Sequence, residues 1–123
     1  MDNSTIKIFG EGKSLRDALY VDDAVDAIIK CSLSKNAKGK SYNVGSGNPI
    51  TVRKIAEEII KACGSGKISF VDYPKEFSGI EVGDIYLSID KIKKEIGWKP
   101  KTPFSEGIRT AAAFYKNNKK LYW

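Results

Sequence analysis

A chain of 123 residues with 41% hydrophobic and 29% charged residues is long enough for one folded unit with one core, in proportions ordinary for a globular protein. No apolar run approaches the ~18 residues of a membrane-crossing helix, and the N-terminus lacks the charged and apolar regions of a signal peptide, so the sequence predicts a cytoplasmic protein with no membrane contact. Histidine is absent, which removes the commonest general base and transition-metal ligand, and the formal charge of +6 narrows the charged partners to nucleic acid, a membrane surface or a phosphorylated small molecule.

The first predicted element is a strand over residues 5–9, with Ile6 and Ile8 on one face and Lys7 and Phe9 on the other. Gly10-Glu11-Gly12-Lys13 is a turn, and residues 15–21 read as a second strand. Asp22 or Asp23 is predicted to cap a helix that runs to Leu33, with Val25, Ile28, Ile29 and Leu33 as its apolar stripe. Capping and solvation explain Asp22, Asp23 and Asp26 better than metal binding.

A polar loop over residues 34–40 leads to a short strand, Ser41-Tyr42-Asn43-Val44, ended by Gly45-Ser46-Gly47. Thr51 is placed as the N-cap of a helix whose apolar side is Val52, Ile55, Ala56, Ile59, Ile60 and Cys63, with Gly64 as its C-cap. A strand over residues 67–73, an irregular stretch over 74–84 and a possible short strand at Ile85-Tyr86-Leu87 follow. A helix over residues 89–96 stops at Gly97-Trp98-Lys99-Pro100. The last helix, residues 104–117, is predicted to bury Phe104, Ile108, Ala111, Ala112 and Tyr115. The fold class is α/β of the mixed α+β kind, with short strands and about four helices. Cys31 and Cys63 lie in helical patterns and read as buried thiols in a reducing compartment.

Few residues here carry chemistry. Gly45-Ser46-Gly47 lacks the third glycine of a dinucleotide fingerprint, and Gly10-Glu11-Gly12-Lys13 leads into a strand, so both read as turns. Tyr115 and Lys119 have the spacing of a redox acid–base pair but sit in the C-terminal helix and read as structural. Glu57-Glu58 and Asp22-Asp23 are solvated, so the residues themselves predict neither a catalytic apparatus nor a metal site. Lys116, Lys119 and Lys120 form a solvated tail without the aromatic interleaving of a nucleic-acid stripe. The one candidate site is Arg16 beside residues 45–51 and the Gly83-Asp84 turn, where an arginine fork and a helix N-terminus would suit a diphosphate.

Four motifs in order carry a resemblance. They are Ile8-Phe9-Gly10-Glu11-Gly12-Lys13 followed by Arg16-Asp17-Ala18-Leu19-Tyr20-Val21-Asp22-Asp23; Tyr42-Asn43-Val44-Gly45-Ser46-Gly47; Gly83-Asp84 with Ile89-Asp90-Lys91-Ile92 and Ile96-Gly97-Trp98-Lys99-Pro100; and Phe104-Ser105-Glu106-Gly107-Ile108. Together they resemble the C-terminal part of the nucleotide-sugar epimerases and dehydratases of the extended short-chain dehydrogenase/reductase superfamily. The resemblance implies one substrate-binding unit over residues 1–123, lacking the Rossmann half that in the family holds NAD and the catalytic Tyr-x-x-x-Lys. The chain would then bind a UDP- or dTDP-sugar without catalysing alone. A stand-alone nucleotide-binding or regulatory domain is the alternative.

By the same resemblance, Arg16 grips the sugar-nucleotide diphosphate and Asp84 lies near the ribose. Asn43 and Thr51 border the nucleotide. The family's second phosphate-binding arginine is replaced: Phe77 and Glu81 stand at the candidate positions, with Lys75 nearest. The strand at residues 42–44 would extend the absent half's sheet, which predicts an exposed edge, bare apolar helix faces and self-association.

Overall fold

The computed structural model describes residues 4–74 and 83–122. Among the described residues the elements in chain order are β1 (Thr5–Phe9), β2 (Leu15–Arg16), α1 (Val21–Leu33), β3 (Ile50–Thr51), α2 (Val52–Cys63), β4 (Lys67–Val71), α3 (Asp90–Ile96), α4 (Phe104–Asn117) and α5 (Lys119–Tyr122), with a 3-10 turn at Lys35–Ala37. The mixed α/β class with short strands is the one that the sequence predicts.

Two small sheets organise the chain. β1 and β4 pair in parallel, from Thr5 opposite Lys67 to Phe9 opposite Val71, and the Gly10 amide extends the ladder to the Val71 carbonyl at 2.8 Å. β2 and β3 pair antiparallel, Leu15 opposite Thr51 and Arg16 opposite Ile50. The second sheet joins the Gly10–Lys13 turn to α2. Ser14 and Gly12 carbonyls accept from the Val52 and Arg53 amides at 3.0 and 2.9 Å, and Thr51 Oγ1 caps the next amide, Lys54, at 3.1 Å. Gly64 and Gly97 close α2 and α3 in the left-handed conformation, φ 75° and 70°, where a side chain would be strained.

The core is small. Ala27 of α1, Ile92 of α3 and Trp98 are fully buried, and Leu19, Cys31, Tyr42, Val44, Ile89 and Ile96 pack around them. Trp98 follows the α3 stop directly, so one glycine turn delivers the largest buried side chain to the centre. α4 packs on α2.

Several expectations are corrected. The strand predicted over residues 15–21 is two residues long, because β3 offers only Ile50 and Thr51 as partners. Residues 41–44 and 85–87 form no strand: among the described residues neither segment finds a ladder to join, and a strand exists only with a neighbour. β4 ends at Val71 and not at Tyr73.

Neither Asp22 nor Asp23 caps α1. The cap residue is Tyr20, with no side-chain cap bond. Asp23 is buried and reaches across the chain, where Oδ1 accepts from the Lys101 amide at 3.1 Å and Oδ2 from the Thr102 amide at 2.8 Å. The α1 stripe faces outward, since Ala27 and Asp23 are the side buried against the core. Tyr115 is also exposed, packing edge-to-face on Phe114 and Tyr122, and Asn118 breaks the helix between Tyr115 and Lys119. Cys31 and Cys63 are free thiols and half-buried.

Candidate functional site

Arg16 ends β2 half-buried, and its position is set by backbone carbonyls. Nη1 donates to the Leu15 carbonyl at 2.7 Å and to the Gly83 carbonyl at 2.6 Å. Among the described residues the Nε–Nη2 edge of the guanidinium takes no partner. A guanidinium held by one nitrogen presents its other edge in a fixed plane, the geometry that matches two oxygens of a phosphate.

Asp84 is tied to the same strand. Its Oδ1 accepts from the Leu15 amide at 2.7 Å, and the Ile85 amide donates to the Leu15 carbonyl at 3.0 Å. Asn43 joins from the other side, its Nδ2 donating to the Ser88 carbonyl at 3.4 Å. Thr51 lies opposite Leu15, with its Oγ1 accepting from the Lys54 amide. The structure therefore gathers Arg16, Asp84, Asn43 and Thr51 around β2 and residues 83–88. Phe77, Glu81 and Lys75 lie outside the described residues.

The helix N-terminus of the sequence-based reading is occupied. The amides of Val52, Arg53 and Lys54 already have the partners described above, so α2 does not present them to an anion. The Gly45-Ser46-Gly47 turn is likewise taken. Asp17 Oδ1 accepts from the Ser46 amide at 2.6 Å and from Ser46 Oγ at 2.5 Å, and Oδ2 accepts from the Leu87 amide at 3.3 Å. Gly45 closes over this carboxylate: a Cβ there would overlap Oδ2 and lie 3.1 Å from Cγ.

Sequence reasoning missed Asp17. The available signal was its place beside Arg16, together with a glycine turn that no phosphate motif explained. A polar network lies nearby. Glu95 Oε2 receives Lys40 Nζ at 2.8 Å and the Tyr42 hydroxyl at 2.7 Å, while Lys91 Nζ donates to the Ser41 carbonyl at 2.9 Å and lies 5.1 Å from the centre of the Tyr42 ring. Burial, reinforced by the bond to Glu95, pushes the Tyr42 hydroxyl up to about 12. Lys40 and Tyr42, by donating to it, hold the Glu95 carboxyl below its usual range.

Among the described residues no cluster of three metal-ligating side chains occurs, and no helix is long and apolar enough to cross a membrane.

The family model described as GDP-mannose 4,6 dehydratase matches residues 2–111. A dTDP-glucose 4,6-dehydratase from Streptomyces niveus is 31% identical over 100% of this chain and 35% of its own length. A UDP-glucose 4-epimerase from Mycolicibacterium smegmatis is 33% identical over 92% of this chain and 35% of its own. Among solved structures, the dTDP-glucose 4,6-dehydratase from Bacillus anthracis, in complex with NAD, superposes with a TM-score of 0.80 at 29% identity, over 98% of this chain and 37% of that one. The chain thus spans about a third of the length of the curated relatives it matches.

Proposed function

Because this chain belongs to the GDP-mannose 4,6-dehydratase family and corresponds to the C-terminal part of nucleotide-sugar epimerases and dehydratases, we propose that it is the nucleotide-sugar-binding portion of such an enzyme and is inactive alone. The observation that carries this reading is Arg16, anchored by Nη1 to the Leu15 and Gly83 carbonyls, with its Nε–Nη2 edge unpartnered among the described residues. That edge takes the diphosphate of a UDP- or dTDP-sugar. Asp84 lies toward the ribose, and Asn43 and Thr51 border the nucleotide. Residues 1–123 act as one unit in this role.

The described residues do not fit NAD. The Gly45-Ser46-Gly47 turn ahead of α2 is closed by the Asp17 carboxylate, and the amides of Val52, Arg53 and Lys54 are occupied. In this reading NAD and the redox chemistry are supplied by a separate unit.

An NMR titration with UDP, dTDP, GDP and CDP tests the reading. Saturable shifts that select one base and vanish in Arg16→Ala are expected. A folded sample that responds to none of the four overturns it. Turnover of UDP-glucose or dTDP-glucose by the chain and NAD alone would overturn the claim of inactivity.

A further inference from the structure

Asp17 is the point where the segments around Arg16 meet. Its carboxylate binds the Ser46 amide and hydroxyl through Oδ1 and the Leu87 amide through Oδ2, so a single side chain joins residues 45–47 to residues 83–88. Gly45 has no positive φ; it is glycine because the carboxylate fills the space of a side chain. Arg16 is fixed to the same 83–88 segment from its other end, through the Gly83 carbonyl. Leu15 adds two backbone ties to that segment, at Asp84 and Ile85. Through these three bonds Asp17 links the two loops.

We propose that Asp17 is a positioning residue: it clamps residues 45–47 to residues 83–88 and thereby fixes the Gly83 carbonyl that aims Arg16 at a nucleoside diphosphate. This rests on the reading of Arg16 given above. With the clamp released, Arg16 keeps its charge and loses its orientation, so that it acts as a point charge. Arg16→Lys reaches the same state by another route. The two losses therefore overlap.

The test is a comparison of UDP and dTDP affinity in the wild type, Asp17→Asn, Arg16→Lys and the double variant. Asparagine has nearly the same shape but turns an amide group toward one of the N–H donors. Each single change is expected to weaken binding roughly tenfold, with the double variant within about twofold of Arg16→Lys alone. Losses that multiply would mean a general structural role and overturn the proposal. Should Asp17→Asn not fold, Ser46→Ala, which removes one donor to the carboxylate, replaces it in the same cycle.

A wild type that binds neither nucleotide leaves the clamp to be judged in the free protein, and the functional reading falls if GDP and CDP also fail to bind. Faster amide exchange at Ser46 and Leu87 in Asp17→Asn, with a shifted Arg16 Nε–H resonance, would support the clamp. Unchanged exchange and an unmoved Arg16 signal would overturn it.

Discussion

The Tyr42 hydroxyl lies 2.7 Å from Glu95 Oε2, a bond between residues 53 positions apart that ties the loop after the 3-10 turn to α3. Lys40 shares the same oxygen. The bond requires a protonated phenol and an ionised carboxylate. Tyr42, raised from 10.0 to about 12, contributes stability that is complete below about pH 10 and lost as pH rises toward about 12. Glu95, lowered from 4.5, contributes stability that is present above about pH 4.5 and lost as pH falls through its depressed value. Urea midpoints followed across both ranges should show both losses in the wild type. Tyr42→Phe should remove the alkaline loss and shrink the acid one. An unchanged alkaline loss in Tyr42→Phe would show that other groups cause it.

Asp23 gives a second acid-sensitive tie. Burial opposes its ionisation, but the Thr102 and Lys101 amides, the Thr102 hydroxyl and the Lys101 charge outweigh burial and hold the carboxyl below its usual range. The stability it supplies is present above the ordinary carboxyl range and is lost as pH falls through the depressed value. Asp23→Ala leaves the two amides without their partner and should cost about 1–3 kcal/mol near neutral pH. Asp23→Asn should flatten this part of the acid limb. Chemical denaturation of the two variants at several pH values makes the check, and a variant as stable as the wild type would refute the tie.

What the sequence revealed and what it hid divide along range. Thr51 and Gly64 bracket α2, and α4 spans Phe104–Asn117 as its periodicity predicts, because caps and apolar spacing act within a few residues. Arg16 and Asp84 were legible as candidates, and the structure brings them together on β2. The hidden part depends on distant partners. An aspartate ahead of a helix reads as a cap, yet Asp23 bonds to an amide 79 residues away. Residues 41–44 have strand composition, but a strand needs a neighbour. The α1 stripe has helix periodicity, which says that one face is apolar and not that this chain covers it. The partners of Asp17 were hidden because Ser46 and Leu87 lie 29 and 70 residues on, although its place beside Arg16 and the unexplained glycine turn were visible.

Gly45 and Asp17 predict a compensating pair. Gly45 is buried and takes an ordinary backbone conformation, so alanine there is opposed only by overlap with the Asp17 carboxylate. Gly45→Ala should destabilise by about 1–3 kcal/mol, as overpacking does. In an Asp17→Ala background the space opens, and the same change should cost well under half as much. Thermal melts of the four proteins measure the cycle. Equal costs in both backgrounds would place the strain somewhere other than the carboxylate.

The outward face of α1 predicts how this chain behaves by itself. Val21, Val25, Ile28, Ile29 and Leu33 lie along one side of the helix and are 62%, 46%, 67%, 51% and 81% exposed. Amphipathic surface helices turn such a stripe inward; here Asp23 and Ala27 occupy the inward side. Contiguous apolar area of this kind drives association in water. Light scattering coupled to size-exclusion chromatography should therefore give a mass that rises with concentration. Ile28→Glu and Leu33→Glu should return it toward the monomer. Both positions are exposed, so each should change stability by no more than about 0.5 kcal/mol. A wild type that stays monomeric at high concentration would sink this prediction, and a variant that unfolds would mean that the stripe is covered by the chain's own residues.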